Sequence, residues 1–228
     1  MSRPQEKILF PLFIWGINLT VAEYMGRTAA LYLAHLNPVT KAHESIISSL
    51  LGRGYSVYVF PVRFMKDNRE MNTKSFPFSF EQRKEMVEVL FGDSVRVLPD
   101  YTFYAPFTKY LPPLLSSKSW ELRNQIVSHV KEGRFVSYTG DKAERLMLRV
   151  YRLNPLKADR LEISATSVKE MLYREALEGD RGTWREMVPS QVVGVIERSW
   201  SVVERFAKEE QDATTRVMGM KFPREGYK

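Results

Sequence analysis

The stretch TAALYLAHLNPVTKAHESIISSLL, residues 28–51, constrains the fold more than any other part of this chain. It opens as an apolar run with the length of a buried strand, breaks at Asn37-Pro38, and resumes at Thr40 with the spacing of an amphipathic helix. A strand that hands over to a helix within a few residues leaves unpaired N–H groups and a positive dipole end at the carboxyl edge of a sheet. Anions settle at such places. Two of the three histidines, His35 and His43, flank the break, so phosphate is the first ligand to expect there.

The rest of the chain extends the same pattern. Residues 55–64 predict a second strand, residues 65–77 a mobile loop of the kind that covers an active site, and Ser79 the cap of a helix over 80–91. A short strand follows at 95–98, then an aromatic segment at 100–111, a Pro112-Pro113 stop and a helix over 118–130. Residues 135–138 predict a strand running into Thr139-Gly140-Asp141, followed by a helix over 143–151 and a last strand over 156–163. Ser164 caps a helix starting near Ser167, and residues 190–208 predict a single terminal helix. Alternation of this kind predicts an α/β fold with a mainly parallel sheet, helices on both faces, and ligands at the carboxyl ends of the strands. The expected organisation is an extension over 1–27, a main domain over 28–208 and a loose tail over 209–228.

With 228 residues, 44% of them hydrophobic, the chain can bury a sizeable core. The formal charge of +7 suits phosphorylated ligands, nucleic acid or an acidic surface without choosing among them. The absence of cysteine excludes a disulfide framework and thiolate metal sites and is compatible with a reducing compartment. Residues 8–25 are the one membrane-like stretch, but Pro11, Gly16, Asn18 and Glu23 interrupt it, so an added strand or edge helix is expected. The expectation is a cytoplasmic protein with neither membrane nor nucleic-acid partner; a homo-oligomer is compatible with the sequence.

Two segments carry candidate chemistry. Thr40 and His43 are three apart, so on a helix a hydroxyl and an imidazole face whatever occupies the helix start. The bland alternative is an N-terminal cap and a packing residue. In ISATSVKEM, residues 163–171, Ser164 and Thr166 supply hydroxyls at a helix start and Lys169 lies on the first turn. Here too ordinary capping is the alternative.

As a pair, the segments resemble the nucleotidyltransferase superfamily that includes cytidylyltransferases and nicotinamide mononucleotide adenylyltransferases. AHLNPVTKAH, residues 34–43, looks like its H/T-x-G-H motif, and ISATSVK, residues 163–169, like its I-S-x-T-x-x-R motif. The likeness is closest to the archaeal type of nicotinamide mononucleotide adenylyltransferase and covers roughly residues 29–206. FPFSFEQR, residues 76–83, resembles that type's N-P-F-x-x-x-E-R segment, and residues 100–110 are similar to the segment lining its nicotinamide pocket. There are departures. Ala34 and Ala42 stand where the family has glycines, His35 and Lys169 where arginines are usual, and Tyr104 and Phe107 where an Asn and a Trp recognise nicotinamide.

The resemblance implies a Rossmann-like fold with an extra N-terminal segment and a C-terminal helix. It further implies transfer of a nucleotidyl group, adenylyl first of all, from ATP or another NTP to a phosphorylated acceptor such as nicotinamide mononucleotide, giving NAD and pyrophosphate. Thr40, His43 and Lys169 would be catalytic. Ala34, His35, Asn37, Lys41, Arg83, Gly140, Asp141, Ser164 and Thr166 would hold the nucleotide, and Asp100, Tyr104 and Phe107 the acceptor. Mg²⁺ would be carried by the NTP phosphates, with no protein metal ligands expected. A cytidylyltransferase acting on a phosphorylated alcohol and a degenerate nucleotide-binding module are the alternatives.

Overall fold

The structure is a computed structural model that describes residues 27–139, 142–156, 164–179, 181–217 and 219–227. Residues 1–26 of the N-terminal extension expected over 1–27, Gly140, Asp141 and the strand segment 157–163 lie outside the described residues.

The apolar run from residue 28 forms β1 (Thr28–Ala34), and α1 (Lys41–Gly52) follows it directly. Beside β1 in parallel lie β2 (Ser56–Pro61) and, on the other flank, β7 (Arg134–Tyr138); β5 (Val95–Val97) adds to the outer edge of β2. The sheet order β5-β2-β1-β7 is that of a doubly wound α/β fold, and the strand order reverses between β1 and β7. The chain is Rossmann-like, as its alternating pattern predicts.

Strands covered on both faces read as continuous apolar runs because successive side chains point to opposite sides. Ala30, Tyr32, Val57 and Val59 pack beneath α1, α2 (Phe80–Phe91), α5 (Ala165–Glu178), α7 (Ser190–Arg198) and α8 (Trp200–Ala207). Leu31, Leu33, Tyr58 and Phe60 point the other way, toward Leu122 and Ile126 of α3 (Ser117–Ser128) and Leu148 of α4 (Lys142–Val150).

Four sequence expectations are corrected. The strand over 55–64 is two strands in two sheets: Pro61 has no N–H to give a ladder, and beyond it Arg63 donates to the Tyr101 carbonyl at 2.9 Å. β3 (Arg63–Lys66) thereby pairs in parallel with β6 (Thr102–Tyr104) and antiparallel with β4 (Arg69–Glu70). Part of the expected mobile loop is therefore a hairpin, turned at Asp67 and Asn68 with φ of 49° and 60°, residues that tolerate the left-handed region. The single terminal helix breaks at Ser199 into α7 and α8, with the short α6 (Trp184–Met187) ahead of them.

The expected loose tail is ordered. β8 (Thr214–Val217) and β9 (Met220–Pro223) form an antiparallel hairpin followed by a 3₁₀ turn over Arg224–Tyr227. Phe222 and Tyr227 join the aromatic cluster of Phe64, Phe103 and Phe107. Gly226 sits so close to Phe107 that a Cβ there would come within 2.1 Å of its ring.

Candidate active site at the carboxyl edge of the sheet

The chain leaves β1 through His35 and Leu36, whose φ of 52° turns it sharply, and enters α1 at Thr40. Asn37 pins this turn: its side chain donates to the Phe78 carbonyl at 2.9 Å and accepts from the Phe78 N–H at 3.2 Å. The turn is thus locked to the segment ahead of α2, and the Asn37 amide is spent on backbone.

His43 points back to the start of its own helix. Its Nδ1 accepts from the Thr40 N–H at 3.0 Å and lies 3.0 Å from the Thr40 hydroxyl, so both donors converge on one lone pair. This pattern assigns the proton to Nε2, which remains a donor at the cavity that His43 helps to line. Burial, then the nearby Lys169 ammonium, lowers the His43 pKa to about 4, so the ring is neutral at physiological pH. Thr40 is 0% exposed and does not line the cavity; its contacts with Nδ1 hold the His43 ring.

Lys169 meets this turn from α5. Its ammonium donates to the carbonyls of Asn37 at 2.9 Å and Ala165 at 3.2 Å, and the residue is only 8% exposed. Burial, and after it the charge of Lys221, lowers its pKa to about 8. The two segments singled out in the sequence, 132 residues apart at this bond, are therefore in direct contact. Ser164 caps α5 by accepting from the Thr166 N–H at 3.2 Å, and Thr166 lines the cavity.

His35 stacks on Phe76 with ring centroids 4.6 Å apart, and its buried Nδ1 has no partner. Burial, then the charge of Arg83, lowers its pKa to about 3. Arg83, expected near phosphates, faces inward instead. At 2% exposure it donates to the carbonyls of Ser79, His35 and Val62 and pairs with Glu70 at 2.8 Å. It is not part of the cavity wall.

These groups open on a cavity of about 520 Å³, within the range of small-molecule sites. Ala34, His35, Asn37, His43, Thr166 and Lys169 line its polar end. Ala42 is buried and does not reach it. Lys41 lies on the exposed side of α1, in a surface depression with Glu44 and Arg185. Of the expected acceptor residues, Phe107 lines the cavity. Tyr104 is 50% exposed and away from it, and Asp100 lies 3.0 Å from His129 Nε2, also outside the lining.

The apolar end comes from residues that the sequence analysis did not single out for function, among them Leu122, Ile126, Leu148 and Tyr151. The largest omission is the C-terminal hairpin, which brings Arg216, Val217, Met220, Lys221 and Phe222 to the wall. A readable signal existed: TTRV and MKFP are two short β-prone runs separated by two residues ending in Gly219, a hairpin signature.

No family model matches the chain, and no curated protein matches it in sequence. Solved structures do match in shape. A bifunctional NMN adenylyltransferase/ADP ribose pyrophosphatase from Francisella tularensis, complexed with AMP and a Mn ion, aligns at a TM-score of 0.58 and 15% identity over 80% of this chain and 52% of that one. A second structure of a bifunctional enzyme of that description from the same organism aligns at 0.54 and 16% identity, covering 81% and 51%. A Plasmodium falciparum nicotinic acid mononucleotide adenylyltransferase complexed with NaAD aligns at 0.45 and 10% identity, covering 77% and 98%. This chain spans about half the length of the Francisella proteins. What it shares with them at this level of identity is the α/β fold.

Proposed function

We propose that the chain is a nucleotidyltransferase that moves an adenylyl group from ATP to a phosphorylated acceptor, with nicotinamide mononucleotide as the first candidate, releasing pyrophosphate. The observation that carries this reading is that Lys169 bonds the Asn37 carbonyl in the turn ahead of His43, so that both residues, each at a helix start, line one cavity at the point where the strand order reverses. The adenylyltransferase neighbours, one holding AMP and a Mn ion, support the same reading.

Nucleotidyl transfer asks a protein mainly to hold two substrates in line and to neutralise charge on the phosphate in flight. An acceptor phosphate oxygen attacks the α-phosphorus, the bond to the α–β bridging oxygen breaks, and pyrophosphate leaves. The His43 Nε2–H donates to a phosphate oxygen, with Thr40 fixing the ring. The Lys169 ammonium adds charge from the other side, and the positive dipole ends of α1 and α5 complete the cradle. The cavity-facing donors (imidazole N–H, ammonium and hydroxyl) suit phosphate oxygens, and among the described residues no three His, Cys, Asp or Glu cluster as metal ligands. A Mg²⁺ ion would be carried by the NTP phosphates and would neutralise part of their charge. None of the described helices is long and apolar enough to cross a membrane, and a cytoplasmic location belongs to this proposal.

The test is pyrophosphate release from each of four NTPs against nicotinamide mononucleotide and a panel of phosphorylated alcohols. His43→Ala should lower turnover by about 10²–10³ while leaving the far-UV spectrum unchanged; undiminished turnover would remove His43 from the mechanism. One observation favours a second reading, a nucleotide-binding module without catalysis: Arg83 is withdrawn into the protein. That module would bind ATP by calorimetry and release no pyrophosphate with any acceptor.

A further inference from the structure

We propose that the C-terminal hairpin belongs to the binding site and that Lys221 on it grips the phosphate of the acceptor, facing Lys169 across the cavity. That the phosphate is an acceptor's rests on the nucleotidyl-transfer reading; the anion site itself does not.

The placement comes first. Lys221 lines the same cavity as Lys169, His35 and Ser75. Its ammonium is held in position, donating to the Ser75 hydroxyl at 2.7 Å and to Asp212 at 3.2 Å. The hairpin that carries it is fastened on both sides. Lys74 donates to the Glu209 carbonyl at 2.6 Å before the hairpin, and after it the Arg224 N–H donates to the Ala213 carbonyl at 2.8 Å while Gly226 packs on Phe107.

The charge balance comes second. Asp212 already accepts from the Ser75 N–H, the Ser75 hydroxyl, the Thr214 hydroxyl and Lys221. Burial alone would raise its pKa, but these hydrogen bonds and the Lys221 charge hold it below the usual carboxylate range. Asp212 and Glu170 favour the charged form of Lys169 through their fields, and neither accepts a hydrogen bond from it. Among the described residues, Lys169 has carbonyl oxygens as its hydrogen-bond partners and no carboxylate in ion-pair contact. Of the two ammonium groups, Lys221 alone thus has a carboxylate in ion-pair contact among the described residues, and both nearby imidazoles are neutral. A buried charge without a partner is costly, and a phosphate between the two lysines removes that cost with charge-assisted hydrogen bonds. The hairpin turns a cleft that is positive on one side into a clamp closed on two.

The experiment uses the full-length chain with inorganic phosphate, ribose 5-phosphate and ATP as probes in calorimetric titrations. Lys221→Met should weaken inorganic phosphate and ribose 5-phosphate about tenfold or more, with ATP changed by less than about threefold; Lys221→Arg should restore most of the loss. Equal weakening of ATP would overturn the assignment to the acceptor, and unchanged affinity for all three would overturn the site. A measurement on the unmodified protein guards against a folding defect. Acylation of Lys221 by an amine-reactive ester, read by peptide mass, should slow several-fold in saturating phosphate, and an unchanged rate would also overturn the site. If phosphate binding depends on Lys221 yet no NTP and acceptor pair releases pyrophosphate, the anion site stands and the transferase reading falls.

Discussion

Arg83→Met separates a structural arginine from a phosphate-binding one. The wild-type guanidinium is 2% exposed and bonds the carbonyls of Ser79 at 3.2 Å, His35 at 2.9 Å and Val62 at 2.7 Å, besides its ion pair with Glu70. Glu70 in turn accepts the Phe80 N–H at 2.8 Å, so one arginine ties β1, β2, β4 and α2 together. Methionine roughly preserves volume but strands the Glu70 carboxylate and the carbonyls at the edge of the sheet. Removing one partner of a buried ion pair costs about 3–5 kcal/mol. Against the 5–15 kcal/mol typical of a whole domain, that is a large share. Urea denaturation should show the loss as a lowered midpoint with an unchanged slope, and thermal unfolding as a fall on the order of 10 °C. ATP affinity at a temperature where the variant is folded should change by less than about threefold. A variant that loses less than about 1 kcal/mol of stability and most of its ATP affinity would refute the reasoning and return Arg83 to the phosphates.

Acid should destabilise the protein through its two cavity histidines. Their folded pKa values, about 3 for His35 and about 4 for His43, lie below the ordinary 6.5, so between pH 6.5 and about 4 the unfolded chain takes up protons that the folded one refuses. Above pH 6.5 both states are neutral and the term vanishes; below it each histidine removes up to about 1.4 kcal/mol per pH unit. The urea midpoint of a His35→Phe, His43→Gln double variant should therefore fall less steeply over that window than wild type, and parallel curves would contradict the assigned values. Gly226→Ala drives a methyl into Phe107, itself 1% exposed, and should cost about 1–3 kcal/mol and free the hairpin to limited proteolysis near residue 210. An unaltered cleavage pattern would show that the hairpin does not depend on this contact. Asp212→Asn removes the carboxylate charge paired with Lys221 and should tighten inorganic phosphate binding relative to wild type; weakened binding would mean that Asp212 acts by holding the hairpin rather than by occupying the lysine.

The parallel sheet was legible because burial on both faces leaves a plain record: β1 and β2 carry apolar side chains at nearly every position, and the end of β1 is followed directly by a helix start. The contact between residues 34–43 and the Lys169 turn was legible for a related reason, since each segment shows its own helix-start chemistry. The direction of Arg83 was not. A motif places it one turn into α2, but whether a long side chain reaches out to a ligand or back to carbonyls at a sheet edge depends on what the tertiary fold sets beside it. The break at Ser199 was hidden in the same way, because α7 and α8 are both amphipathic and their joint period looks continuous. The C-terminal hairpin was overlooked because its strands are short and half polar, so composition suggested a loose end. What orders them is distant packing: Phe222 and Tyr227 against an aromatic cluster, and Asp212 against Ser75. Tyr101, Phe103, Phe107 and Tyr110 are all buried, and all four line the cavity together with residues of the hairpin.

The most direct measurement of the central claim is the mass of the product formed when the full-length protein is incubated with ATP, Mg²⁺ and nicotinamide mononucleotide or another phosphorylated acceptor, with pyrophosphate followed in the same reaction. The account predicts one pyrophosphate per product molecule, a product heavier than its acceptor by one adenylyl group, and a rate that falls about 10²–10³ in His43→Ala. ATP binding without pyrophosphate across every NTP and acceptor, or an equal rate in His43→Ala, would contradict it.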